Sequence, residues 1–278
     1  YIQSINEQTF IDFDILIVNQ GLKKNYFEKL NKRPIIINVK KNKSVAEMRQ
    51  IGWDYFYNKN YKYLICSDAD DFFSNDRVEK SFIKLQNNNF AYNELIKVNN
   101  KGKLLSKKKT QMPTETVSIY NILHMNYIGG SSSAFKKTKR RIIKIPKHII
   151  ATDWYIASIY LINNYKGGLI KNSYTYYRQH NNNVIGLESK LSSKSLDLIL
   201  KVKLSHYKGL LNYCKSNKSN VDLEHIQNTL LDYRQLSNFL QKPNFKKKYI
   251  SSINDNYDKI YNFWWSDLIT IDRYENLK

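Results

Sequence analysis

Asp68-Ala69-Asp70-Asp71 places three carboxylates within four positions. Like charges this close raise one another's pKa unless a cation or hydrogen-bond donors compensate. Hard oxygen donors of this kind suit Mg²⁺ or Mn²⁺, which commonly hold phosphate oxygens as well. The cluster directly follows the apolar run Tyr61-Lys62-Tyr63-Leu64-Ile65-Cys66, which reads as a buried strand. In α/β proteins, ligands bind at the carboxyl ends of strands. The same four residues also suit a solvated Asp-rich turn that caps the next helix.

Two further groups carry chemistry. In Tyr177-Arg178-Gln179-His180-Asn181-Asn182-Asn183, a neutral imidazole can complete a divalent-metal shell or donate to a phosphate. Its plain alternative is a turn histidine on a polar loop. In Thr152-Asp153-Trp154, a carboxylate beside an aromatic at a helix start can act as a general base toward a hydroxyl. The alternative is an ordinary helix-start Asp favoured by the helix dipole.

The elements that must position these groups alternate. Residues 1–10 read as the end of a helix. Asp14 to Val18 and Pro34 to Val39 read as strands closed by turn residues. Ser44 opens a helix to about Asn58, and Asp76 to about Gln86 reads as another. Residues 90–110 read as a strand or hairpin ending in a basic loop, and Gly129 to Ser133 as a flexible loop. Thr152 is placed as the cap of a helix that ends near Gly167-Gly168, and Tyr174 to Arg178 as a strand. Strands alternating with helices predict an α/β fold with a mostly parallel, Rossmann-like sheet. After Gly186 the apolar residues step by threes and fours in three sets, from Leu196, Leu223 and Tyr249. They predict amphipathic helices broken near residues 217–219 and Pro243. The expected division is therefore 1–186 and a helical extension over 187–278.

Composition sets outer limits. The 278 residues are 42% hydrophobic and 14% aromatic, enough for a core and against general disorder. No apolar run approaches the roughly 20 residues of a membrane-spanning helix, and the first residues do not read as a signal peptide. Cys66 and Cys214 cannot form a disulfide framework or a cysteine-based zinc site, which favours a soluble protein in a reducing compartment. The net charge is +21. It concentrates at Lys107-Lys108-Lys109, Lys136-Lys137 and Lys139-Arg140-Arg141, patches that attract phosphates on nucleic acid, membrane or small molecule. AT-biased coding, visible in the joint richness in Lys, Asn, Ile and Tyr, accounts for such charge equally well. A nucleic-acid-binding function lacks any recognisable motif here, and no nucleic-acid partner is expected.

The order of these groups resembles family 2 of the GT-A-fold glycosyltransferases over about residues 1–186. Ser4 to Phe10 followed by Phe13 to Val18 is similar to that family's first helix and second strand. Arg49-Gln50-Ile51-Gly52 resembles its Arg-Asn-x-Gly segment, and Asp68-Ala69-Asp70-Asp71 its metal and nucleotide motif. Thr152-Asp153-Trp154 stands where the family has Glu-Asp-Trp. Tyr177 through His180 to Asn183 and Gly186 resembles its closing Tyr-Arg-x-His-x-x-Asn-x-x-Gly stretch.

The resemblance implies an inverting transfer of a sugar from a nucleoside diphosphate to a hydroxyl of a growing surface glycan, free or lipid-linked. It implies Asp153 as base, Asp68 facing the nucleotide or donor sugar, and Arg49 holding the nucleotide side. Asp70, with Asp71 as near alternative, and His180 would hold Mn²⁺ or Mg²⁺. Gly129, Gly130 and Ser131 would line the sugar pocket, where small residues let backbone N–H groups approach. It also implies a bacterial cytoplasmic location, peripheral at the inner membrane face. The apolar stripes of the extension are expected to pack on each other and on the catalytic domain; the alternative is a dimer surface or an interfacial patch with Trp264-Trp265 at the membrane face. The chain departs from the pattern at three points. The family's first strand is missing, so the chain looks like a fragment. Asn19-Gln20-Gly21-Leu22 replaces an Asp-rich stretch, and Thr152 replaces Glu. These departures keep a catalytically silent scaffold as the first alternative, and the charge keeps a basic nucleic-acid-binding protein as the second.

Overall fold

The structure is a computed structural model of the 278-residue chain. It describes residues 1–105, 116–179, 190–218, 223–256 and 268–275. His180, Gly186, Lys107-Lys108-Lys109, Trp264-Trp265 and the 186/187 boundary lie outside the described residues.

The fold is α/β. A short helix α1 (Ile2–Asn6) leads to β1 (Leu16–Asn19), which pairs in parallel with β2 (Ile35–Asn38). Helix α2 (Val45–Asn58) starts as expected at Ser44. The Ser44 hydroxyl accepts the Glu47 N–H at 3.3 Å and Glu47 accepts the Ser44 N–H at 3.1 Å, so two orphan donors are satisfied reciprocally. There follow β3 (Tyr63–Ile65), β4 (Phe72–Phe73), α3 (Arg77–Asn87) and β5 (Phe90–Val98). Then come β6 (Thr116–Val117), α4 (Ile119–Leu123), β7 (Ser133–Lys136), α5 (Thr152–Ile162) and β8 (Gly167–Arg178).

The second sheet corrects the mostly parallel expectation, because it is mixed. Its order is β3-β7-β5-β8-β4, with β6 also on β8. Only β5 and β8 run parallel; β3·β7, β5·β7, β4·β8 and β6·β8 are antiparallel. The reason is local. The segment before β7 is a tight 3₁₀ turn, Gly130–Ser132, not a flexible loop, and Ser131 and Ser132 are buried in it. The chain therefore reverses directly into the slot between β3 and β5.

Helix α5 differs from expectation at both ends. Ala151 is its N-cap and makes no side-chain cap bond, while Thr152 is already helical. The helix stops at Asn163, with Asn164 at φ +59°, and Gly167 opens the long strand β8. Gly167 and Gly168 serve the strand. A Cβ on Gly167 would sit 2.2 Å from the Phe90 ring, and one on Gly168 2.6 Å from the Lys84 side chain. Close backbone approach, rather than a helix cap, fixes these glycines.

α5 is apolar on nearly every face and is buried almost throughout, as a helix hydrophobic all round must be. Trp53, Phe90 and Phe135 pack around Tyr160 in its carboxyl half, with Trp53 and Phe135 ring centroids 5.2 Å apart. The tail forms α6 (Ser193–Asn217), α7 (Leu223–Leu240), α8 (Pro243–Asp255) and a short α9 (Ile271–Glu275). The first two match predicted amphipathic segments, and α8 carries Tyr249 and Ile253 of the third, whose Tyr257, Ile260 and Trp264 lie outside the described residues. Their apolar faces join one continuous core that also contains α5 and β5. Among the described residues, no helix is long and apolar enough to cross a membrane.

Candidate active site

The antiparallel pairing of β3 with β7 brings the carboxylate cluster to the Gly130–Ser132 turn. Ile65 pairs with Ala134, and the Cys66 N–H bonds the Ser133 carbonyl at 2.9 Å. Two residues beyond each of these, Asp68 and Ser131 meet. The Asp68 N–H donates to Ser131 Oγ at 2.9 Å, and that hydroxyl donates to Asp68 Oδ2 at 3.0 Å.

Arg49, on the helix α2 behind them, pairs with Asp68 Oδ1. The Asp68 charge is the main cause that raises the Arg49 pKa, so the guanidinium stays charged. Gly130 makes room for this pair: a Cβ there would lie 2.9 Å from Arg49 Nη2 and 3.3 Å from Asp68 Oδ2. Gly129 precedes Gly130 in the turn. Its N–H is already bonded to Ser132 Oγ at 3.1 Å and holds the turn.

Asp153 stands in the first turn of α5, partly covered. Asn126 Nδ2 donates to Asp153 Oδ2 at 3.3 Å. Burial raises the Asp153 pKa first of all; its own helix's Trp154 N–H, Arg49 and Asn126 pull it down, while Asp68 pushes it up. Arg49, Asp68 and Asp153 thus act on one another's charge across one site. An acid of this kind suits proton transfer.

A tight turn brings Asp71 back beside Asp68, with the Asp71 N–H 3.3 Å from the Asp68 carbonyl. Asp70 is exposed and Asp71 is buried. Arg178, at the end of β8, closes this turn. Its N–H donates to Asp71 Oδ1 at 2.9 Å and its Nε to the Asp70 carbonyl at 2.7 Å. The closing motif and the carboxylate motif, over 100 residues apart in sequence, therefore meet. His180 follows two residues later, outside the described residues.

Asp71 Oδ2 is buried with no hydrogen-bond partner. A buried carboxylate oxygen without a partner is costly, and it fits a hard divalent cation. Carboxylate donors match Mg²⁺ or Mn²⁺. Among the described residues, no three His, Cys, Asp or Glu side chains cluster closely enough to hold a metal by themselves.

Burial, with help from Asp70 and Asp68, pushes the Asp71 carboxyl up to about 7. The sign of the linkage follows. Between the ordinary carboxylate value and 7 the folded protein holds a proton that the unfolded chain has released, so stability falls as pH rises. The full contribution is roughly 4 kcal/mol. In chelator the melting temperature should fall from pH 5 to pH 8, and Asp71→Asn should flatten that fall. Calorimetry giving wild type and variant the same slope would remove Asp71 as its source.

Two arginines support the site, Arg178 from the closing motif and Arg77, which belongs to no motif. Arg77 is fully buried at the start of α3, and its Nη2 donates to the Cys66 carbonyl at 2.7 Å and to the Ser131 carbonyl at 2.5 Å. It ties the end of β3 to the serine turn. Burial lowers its pKa to about 10. One signal existed in the sequence: a cation in the first turn of a helix opposes the helix dipole. Asn126 carried no signal at all.

A mixed α/β sheet with carboxylates, an arginine and a serine turn at the strand ends is a GT-A-type fold. Residues 1–150 match the family described as Glycosyl transferase family 2, and the chain belongs to that family. Its fold is shared with S. aureus TarS residues 1–349. The form in complex with UDP-GlcNAc is 13% identical, covers 83% of this chain and 66% of its own, and has a TM-score of 0.56. The form without ligand gives 13%, 83%, 65% and 0.55; the complex with UDP gives 11%, 87%, 68% and 0.51. This chain thus spans just under two thirds of the first of these structures. No curated protein matches the chain.

Proposed function

We propose that this protein is an inverting, divalent-metal-dependent glycosyltransferase. It moves a sugar from a nucleoside diphosphate to a hydroxyl of a growing surface glycan, free or lipid-linked. The observation that carries this reading is the meeting of Arg49, Asp68, Ser131 and Asp153 around one site, with Asp70 and Asp71 in the adjoining turn.

Asp153 is the base in this scheme. Its carboxylate takes the proton of the acceptor hydroxyl as that oxygen bonds to the anomeric carbon. The bond from that carbon to the diphosphate oxygen breaks from the opposite face, so the centre inverts. Asp68 faces the donor and, through its ion pair, fixes the plane of Arg49. Arg49 supplies a cation preorganised toward the leaving charge. Gly130 and Ser131 form the wall beside the sugar, and Gly129 holds that wall in shape. Asp71, with Asp70 and His180, would hold Mn²⁺ or Mg²⁺, which when bound neutralises diphosphate charge as a Lewis acid. Residues 1–186 form the catalytic domain and 187–278 the helical extension. The exposed Lys139, Arg140 and Arg141 favour peripheral contact with an anionic inner membrane face in the cytoplasm.

The UDP complexes of the structural neighbour support UDP as the first nucleotide to try. Titration calorimetry with Mn²⁺ and UDP-, GDP- and CDP-sugars should show saturable, Mn²⁺-dependent binding of UDP-GlcNAc or another UDP-sugar. If the full chain binds no nucleotide, the enzymatic reading fails and a silent scaffold takes its place.

A further inference from the structure

The helical extension reaches the catalytic machinery through buried polar contacts that the transfer scheme does not use. Three consecutive carbonyls at the carboxyl end of α4 are orphans of the helix. Each is met by a different donor. Trp154 Nε1 donates to the Ile122 carbonyl at 2.6 Å, Tyr207 Oη to Leu123 at 2.7 Å, and Lys203 Nζ to His124 at 2.7 Å. Two residues further on is Asn126, fully buried, the donor to Asp153.

Trp154, next to Asp153, is gripped from the same helix. The His206 ring stacks on its indole at 3.8 Å and 13°, and Lys203 Nζ stands 5.6 Å from its centroid. α7 braces Lys203 in turn, with the Tyr233 ring 4.8 Å from Nζ. Both ring nitrogens of His206 are buried without a partner. Burial, then the Lys203 charge, keeps that imidazole neutral. Gly209 allows α6 to come this close, since a Cβ there would lie 2.6 Å from Ile149 Cδ1.

We infer that Lys203 and Tyr207 of the helical extension are positioning residues for Asp153, acting through the Ile122–Asn126 segment and Trp154. A lysine is costly to bury, yet Lys203 is fully buried with its ammonium on a helix carboxyl end, where cations are favoured. Asp153 is held from its own helix by Trp154 and from across the site by Asn126. Both holds lead back to α6.

This inference rests on Asp153 being the base. The test uses the full chain with UDP-GlcNAc, or whichever UDP-sugar the calorimetry selects, and reads UDP release and the ¹⁵N resonance of the Asn126 side-chain amide. Lys203→Met should lower kcat roughly tenfold or more while leaving the donor KM within about twofold. Tyr207→Phe, which loses one hydroxyl and keeps the ring, should lower kcat less but in the same way. The Asn126 amide should shift in both variants without any ligand present. In an Asp153→Asn background neither variant should lower the residual rate further.

A lower melting temperature with unchanged kcat and unchanged Asn126 amide would reduce both residues to structural parts and overturn the inference. If Lys203→Met does not fold, Tyr207→Phe alone decides by the same readouts. If Asp153→Asn retains full turnover, the assignment of the base fails instead, and the Asn126 amide still reports whether α6 sets that side chain.

Discussion

Asp153→Asn is expected to bind donor and metal as the wild type does and to lose turnover by about 10² to 10⁴-fold. The amide keeps the shape of the carboxyl and can still meet Asn126 after a side-chain flip, so the fold should be untouched. It cannot accept a proton at neutral pH. Burial holds the Asp153 pKa above the ordinary carboxylate value, against the pull of its own helix, Arg49 and Asn126. The carboxylate form, which the base must present, should therefore be lost on acidification, and kcat should fall on the acid side. Measured turnover and calorimetric donor affinity together check this. Unchanged turnover in the variant would move the base elsewhere.

The second large effect concerns the cation. Asp71→Asn should weaken Mn²⁺-dependent nucleotide binding by about a hundredfold or more, and leave what nucleotide binding persists in chelator unaltered. The argument is the buried Oδ2, which no described residue meets with a hydrogen bond. Asp70→Ala tests the alternative ligand. Asp70 is exposed, and its carbonyl rather than its carboxylate is the group fixed by Arg178. Binding isotherms with and without Mn²⁺ separate the two. Equal, Mn²⁺-independent affinity in wild type and both variants would dismiss a metal at this turn.

Much of this architecture was readable from local pattern. The capping box at Ser44 and Glu47, the helix beginning after Asp76, and the amphipathic stripes from Leu196 and Leu223 are short-range signals. Their physics is complete within one or two turns of chain. Misreadings arose where a distant surface decided. Gly167-Gly168 looks like a helix end, and only the Phe90 ring above it shows why glycine is required. Gly129 to Ser133 has the composition of a flexible loop, yet it is buried because Arg77, from α3, bonds the carbonyl in its middle. The sheet was expected to be mostly parallel because alternation of strand and helix says nothing of a strand that turns straight back, as β7 does.

The sequence by itself determined the chemical inventory: the carboxylates at Asp68, Asp70 and Asp71, the acid at Asp153, Arg49, and their order along the chain. Side-chain type and spacing are properties of covalent structure, and they survive any folding. Tertiary structure alone decided that Arg49 pairs with Asp68, that Arg178 closes the turn on Asp71, and that Asn126 and α6 stand behind Asp153. Those contacts join residues from 19 to 107 positions apart. Charge and hydrogen bonding act over a few ångströms of space, so no pattern along the chain encodes them until packing has brought the partners together.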